Sequence, residues 1–164
     1  MLSELLDSLR MSHRELTLRS PLAGDIVPLT EVRDATFSKG LLGRGVAIKP
    51  RAGRVVAPSD ARVDAVFPTG HAIALHTVEG LDVLIHVGID TVSLGGRYFQ
   101  VKTSLGDEVR AGEVLITFDC QAIAAEGLDL TVPVLIRNAA EYRRIKVCSG
   151  EVDELDRLMV AIER

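Results

Sequence analysis

The 164-residue chain contains no tryptophan, has only 4% aromatic residues and carries two cysteines, and each scarcity removes a class of function. Aromatic platforms for stacking bases are missing, and 19 Lys+Arg are outnumbered by 23 Asp+Glu for a net charge of -4, so nucleic acid is a poor partner. No run of like charges stands out. Cys120 and Cys148 lie far apart without CxxC spacing, which gives neither a disulfide framework nor a zinc knuckle and favours a reducing, cytoplasmic setting. No stretch approaches the roughly 20 apolar residues a membrane span needs, and the start lacks the basic, apolar and small-residue segments of a signal peptide. A soluble intracellular protein is the expectation, and 47% hydrophobic residues supply ample material for one core.

What is present is β-rich punctuation. From Ser20 onward, "GDIVPL", "GVAIKP", "GRVVAP", "ARVDAVFP", "HAIALHT", "DVLIHVG", "RYFQVKT", "EVLITFD" and "LTVPVLI" alternate with turns of Gly, Pro and Asp. The pattern predicts an all-β domain, a compact antiparallel β-sandwich or barrel with one or two short helices. One helix is expected at "DCQAIAAEG", with Asp119 as N-cap and Gly127 as the stop. Residues 1–19 read as an N-terminal arm, flexible or a short amphipathic helix, ahead of a domain over 20–164. In the arm Leu2, Leu5, Leu6 and Leu9 share a helical face, which suits either a partner or peripheral membrane contact through residues 1–15, or a frayed or packed end. Glu4 and Asp7 weaken attraction to anionic lipid. Turn-dense β repeats also occur in lipoyl- and biotin-carrying domains, but no Lys on a hairpin tip is evident.

Three of the four histidines fall within residues 71–90. A loop of two or four residues between "HAIALHT" and "DVLIHVG", helped by Gly80, places His71 directly opposite His86 with Cβ atoms about 4.5–5.5 Å apart. A three-residue loop instead pairs His86 with Ala72. His76, an odd number of positions from His71, is expected on the other face as a tolerated residue near the hairpin tip, and His13 has no constellation around it. For His71 with His86 the residues leave three readings open. They are a half-buried pair that fits the pleat, or two ligands of an incomplete metal site with Asp90 past the strand end. The third is a phosphoryl acceptor with its tautomer fixed by a carbonyl near Gly88 and an adjoining imidazole oriented by Thr69.

"HVGIDTV" resembles the active-site signature of the glucose-type enzyme IIA domain of the bacterial sugar phosphotransferase system. "SPLAGDIVPLTEV", "FSKGLLGRGVAIKP", "VVAPSDARV", "GHAI", "DEVRAGEVLITFD" and "TVPVLIRN" resemble the family's other blocks in order over residues 20–149, and the fifteen-residue separation of His71 from His86 matches as well. The resemblance implies a cytoplasmic, monomeric phosphocarrier. In it His86 takes a phosphoryl group from the histidine-containing phosphocarrier protein and passes it to a cysteine of an enzyme IIB domain of the sugar permease. His71 then stabilises the group and Thr69 orients His71. Asp34 and Asp90 match the family's acidic flank, and Phe37, Leu42, Val46, Phe67, Leu84 and Val87 its apolar docking patch; Leu84 and Val87 are aliphatic where known members carry aromatics. No cofactor is required. Zinc at His71 and His86 is implied only in a complex whose partner supplies further ligands, as in members that regulate transporters or metabolic kinases. A non-catalytic regulatory or zinc-binding module is the alternative. With Met1 present, the chain reads as a stand-alone member. The last segment, "CSGEVDELDRLMVAIER", lacks an expected glycine turn, so its final strand is expected to be shifted or replaced by a short helix.

Overall fold

The computed structural model describes residues 1–4 and 13–164, so the leucine pattern of the N-terminal arm falls almost wholly outside the described residues. The β-rich stretches all become strands, joined antiparallel throughout. The strands are β1 (Glu15–Arg19), β2 (Gly24–Pro28), β3 (Arg44–Pro50), β4 (Arg54–Val56), β5 (Ala61–Val66), β6 (Ala72–Thr77) and β7 (Asp82–His86). They continue as β8 (Phe99–Val101), β9 (Glu108–Val109), β10 (Val114–Phe118), β11 (Val132–Ile136), β12 (Tyr142–Val147), β13 (Glu151–Val152) and β14 (Arg157–Glu163). Within the body two short helices interrupt them, α1 (Ala35–Ser38) and α2 (Cys120–Ala125). In α2 the Asp119 side chain accepts from the Ala122 amide at 3.0 Å and Gly127 takes a left-handed φ of 78°, as the sequence predicts.

The strands form one sheet of eight in the order β13-β2-β3-β11-β7-β6-β5-β9 and two sheets of three, β1-β14-β12 and β4-β10-β8. The main core lies between the sheets. Strict alternation in the centre of the large sheet sends Ile48, Ile73, Val83, Ile85 and Val134 into it, each essentially without exposed surface. The intervening positions, Ala47, Ala74, Leu84 and Leu135, face the other way and form a second, smaller cluster with Val32, Phe37 and Ile89. The central strands are therefore apolar on both faces, and the second face carries the site.

Three expectations need correction. The strand β1 begins before the domain boundary set at residue 20, because Leu16 and Leu18 alternate inward and are fully buried in the main core. The last segment is not helical. β14 is the middle strand of its sheet, and Leu155, at φ 67°, supplies the left-handed residue that the missing glycine would have provided. The β6–β7 hairpin turns through three residues, closed by the Thr77 amide on the Leu81 carbonyl at 2.9 Å with Gly80 at φ 105°. The register therefore pairs Ala72 with His86, and His71 is not opposite it.

Candidate active site

His71 nevertheless reaches His86, because it precedes β6 and is freed from strand alternation. The β5–β6 connection turns through Phe67–His71, with the Phe67 amide on the Ala72 carbonyl at 3.1 Å and the Gly70 amide on the Phe67 carbonyl at 2.8 Å. The His71 carbonyl then accepts from the Val87 amide at 2.7 Å, which pins the start of β6 to the end of β7. The two imidazoles lie edge to face with centroids 4.8 Å apart. Phe67 packs on His71 at 5.6 Å and Phe37 on His86 at 5.0 Å, so each ring is held by an aromatic neighbour as well as by the other histidine.

Hydrogen bonds at Nδ1 set the chemistry of both rings. His86 Nδ1 donates to the Gly88 carbonyl at 2.7 Å, so a neutral His86 carries its proton there and leaves the Nε2 lone pair free. Gly88 can present that carbonyl because it sits at φ 80°, where a Cβ would come within 2.4 Å of Thr91 Cγ2 and 3.0 Å of the Asp129 carbonyl. The Thr91 hydroxyl in turn donates to the Val87 carbonyl, bracing the same turn. His71 Nδ1 is bonded to the Thr69 hydroxyl. When that hydroxyl donates, the His71 proton resides on Nε2, where it can be donated outward.

Both rings are biased towards neutrality. His71 is only 4% exposed, and burial, with the neighbouring His86 as the lesser cause, lowers its pKa to about 4. Burial also lowers that of His86, opposed by the Gly88 hydrogen bond and by the charges of Asp34 and Asp90. Asp34 is fixed as the N-cap of α1, accepting from the Thr36 amide at 2.8 Å, and Asp90 occupies a left-handed turn just after β7.

Asp34, Phe37, Leu42, Phe67, Leu84 and Asp90 line one hollow of about 360 Å³ together with His86. Val46 and Val87 do not belong to it. They are 1% and 0% exposed in the main core, Val46 turned inward by alternation along β3 and Val87 buried at the position that follows β7. The hollow instead includes Thr36, Arg137 and Val92, which the sequence reading passed over. Val92 is 55% exposed and stands within the "HVGIDTV" run itself, so its place after Thr91 was the available signal. Arg137 lies in "TVPVLIRN", far away in sequence, and offered none. Among the described residues no third His, Cys, Asp or Glu joins His71 and His86 as a potential metal ligand set.

An all-β scaffold that packs two imidazoles against each other, one of them lining an apolar hollow, presents a histidine-centred candidate site. The family described as phosphoenolpyruvate-dependent sugar phosphotransferase system, EIIA 1, matches residues 16–142. The chain is 51% identical over 141 residues to a PTS system beta-glucoside-specific EIIBCA component of Dickeya chrysanthemi, covering 85% of this chain and 22% of that protein. The chain thus spans about a fifth of the length of such EIIBCA relatives. It is also 33% identical to a glucose-specific EIIA component of Staphylococcus epidermidis, over 95% of this chain and 98% of the relative. The solved glucose permease IIA from Mycoplasma capricolum superposes with a TM-score of 0.82 at 32% identity, covering 90% of this chain and 96% of that one. The chain belongs to the EIIA 1 family of the phosphoenolpyruvate-dependent sugar phosphotransferase system and is a glucose-type EIIA component. Among the described residues no helix is long and apolar enough to cross a membrane.

Proposed function

We propose that the protein is a cytoplasmic phosphocarrier that accepts a phosphoryl group on His86 Nε2 from the histidine-containing phosphocarrier protein and passes it to a cysteine of an enzyme IIB domain of a sugar permease. The observation that carries this reading is the His86 Nδ1 hydrogen bond to Gly88, which fixes one tautomer and aims one lone pair. In the transfer, the Nε2 lone pair attacks phosphorus as the donor's N–P bond breaks, and the donor imidazole leaves with that electron pair. The Nδ1 proton stays in its bond to the Gly88 carbonyl throughout. His71, through Nε2–H, donates to a phosphoryl oxygen as charge shifts between the two nitrogens. The donor is already activated, so the protein chiefly positions it.

Asp34 and Asp90 would repel the incoming phosphoryl group, which suits them to meet basic side chains of the partner around the hollow. The hollow is small and apolar, with polar groups at its rim, and this fits transient docking of a monomeric carrier. The relatives named EIIBCA components support an enzyme IIB partner. No cofactor is needed for this chemistry. Zinc would have His71 and His86 as two of its ligands only where a regulated transporter or kinase supplied the rest.

The test is incubation with phosphoenolpyruvate, enzyme I and the histidine phosphocarrier, followed by intact-mass measurement. Wild type gains one phosphoryl group and His86→Ala gains none. His71→Gln still accepts but transfers slowly to enzyme IIB. No mass gain with a competent donor set would shift the assignment to a non-catalytic regulatory module, and an unchanged His71→Gln in both half-reactions would remove the role given to His71.

A further inference from the structure

On the same sheet face as His86, but at the opposite end of the β6–β7 hairpin, stands a second cluster that the phosphocarrier reading does not use. His76 and Asp82 are direct cross-strand partners, and His76 Nδ1 lies 2.6 Å from Asp82 Oδ1. The pairs Ala72 with His86, Ala74 with Leu84 and His76 with Asp82 follow one another on this face, which corrects the expectation that His76 points away from the site. Asp64 joins from β5, where the register shifts between Val63 and Ala65, so it is the extra residue of a bulge that brings its carboxylate beside the hairpin. One ligand atom from each of Asp64, His76 and Asp82 lies within 4.8 Å of the others.

We propose that Asp64, His76 and Asp82 form a binding site for a divalent transition cation of the zinc class. Three adjacent antiparallel strands hold the ligands, so their backbones are already ordered before the ion arrives. An imidazole with two carboxylates selects zinc, nickel or copper over calcium and magnesium, which take oxygen donors alone. Ligand atoms around a tetrahedral zinc lie about 3.4 Å apart, so the His76–Asp82 contact of 2.6 Å must open by under about 1 Å and separations of up to 4.8 Å must close by up to about 1.4 Å. All three side chains are about two-fifths exposed, which gives them the rotamer freedom to do so. Arg62 opposes the ion. Its Nε donates to one Asp64 oxygen at 2.8 Å, leaving the second oxygen for the metal.

The site is separate from the two active-site histidines. Four strand positions divide His76 from Ala72, which places the cluster about 13 Å along the sheet from the His86 end. Asp64 and Asp82 border a cavity whose wall includes Leu42 and Arg137, and these same two residues also line the hollow at His86. Three protein ligands leave coordination positions open towards that cavity, so the ion would be presented to whatever docks over it.

Zinc chloride titrated into the full chain, followed by calorimetry and by the histidine ring-proton signals, tests the proposal. Saturable binding that shifts the His76 signals is expected in wild type and should persist in a His71→Gln/His86→Gln double variant. It should weaken about tenfold or more in His76→Gln and in Asp64→Asn, since losing a direct ligand costs at least as much as losing an outer partner. Arg62→Gln should tighten it. Thermal melts confirm that each variant is folded. Zinc retained by His76→Gln but lost from the double variant would assign the ion to the active-site pair and overturn the proposal. Binding unaffected by Asp64→Asn would overturn the three-ligand site, and absence of saturable binding in wild type would overturn it outright.

Discussion

The burial of His71 has a consequence for stability that can be worked through before any phosphoryl chemistry is considered. In the folded chain its pKa falls to about 4 from an ordinary value of 6.5. Between these values the unfolded chain is protonated while the folded chain is not, so stability is complete above about pH 6.5 and is lost as the pH falls towards 4. Over the whole window the loss is on the order of 3 kcal/mol, and about 2 kcal/mol of it falls between roughly pH 7 and pH 5. His86, also lowered by burial, adds a contribution of the same sign. Urea denaturation of wild type and His71→Gln at about pH 7 and pH 5 isolates the term, because every carboxylate titrates in both proteins. Wild type should lose about 2 kcal/mol more than the variant on acidification. Parallel losses within about 0.5 kcal/mol would mean that His71 is not held neutral by its surroundings, and the account of the site's electrostatics would fall.

Gly88→Ala should cost about 2–4 kcal/mol, combining a left-handed residue with a Cβ pressed on Thr91 and the Asp129 carbonyl, and should abolish phosphoryl acceptance by displacing the carbonyl that fixes His86. Urea melts with intact-mass measurement check it, and an alanine variant that accepts phosphate normally would show that the carbonyl does not set the tautomer. Leu135→Ala, at the buried centre of the smaller cluster, should cost about 2–5 kcal/mol in the same melts, and a loss below 1 kcal/mol would show that this face of the sheet packs loosely. Asp34→Asn with Asp90→Asn should slow acceptance from the donor, most at low ionic strength, without changing the final extent. Rates equal to wild type at every salt concentration would remove the steering role.

Strand identity was legible because apolar runs bounded by Gly, Pro and Asp have few other solutions, and α2 because its cap and stop residues are both local signals. Boundaries and register were not. "ELTLR" alternates as a strand should, but its partner β14 lies almost the whole chain away, and a five-residue run after a leucine-rich helical pattern gives no hint of that pairing. The final turn misled because glycine is the ordinary occupant of a left-handed position, whereas here Leu155 occupies one at φ 67°. The hairpin register turned on one residue of loop length, which "VEGL" does not specify.

The two rings expected to meet do so, but through a geometry other than the expected one. Direct opposition would have set the rings side by side on regular strands. The chain instead ends the β5–β6 turn at His71, where no pleat dictates the side-chain direction, and ties that turn to β7 through the His71 carbonyl and the Val87 amide. The histidine outside the strand can therefore be aimed by Thr69 independently of the sheet, while the other stays on it. The same distinction sorts the expected docking residues. Val46 points inward by alternation along β3 and Val87, the residue after β7, is buried in the same core, so their apolar character belongs to it. Leu42 sits in a turn and Val92 in a single turn of 3-10 helix, where an apolar side chain is not claimed by the core and stays exposed at the hollow.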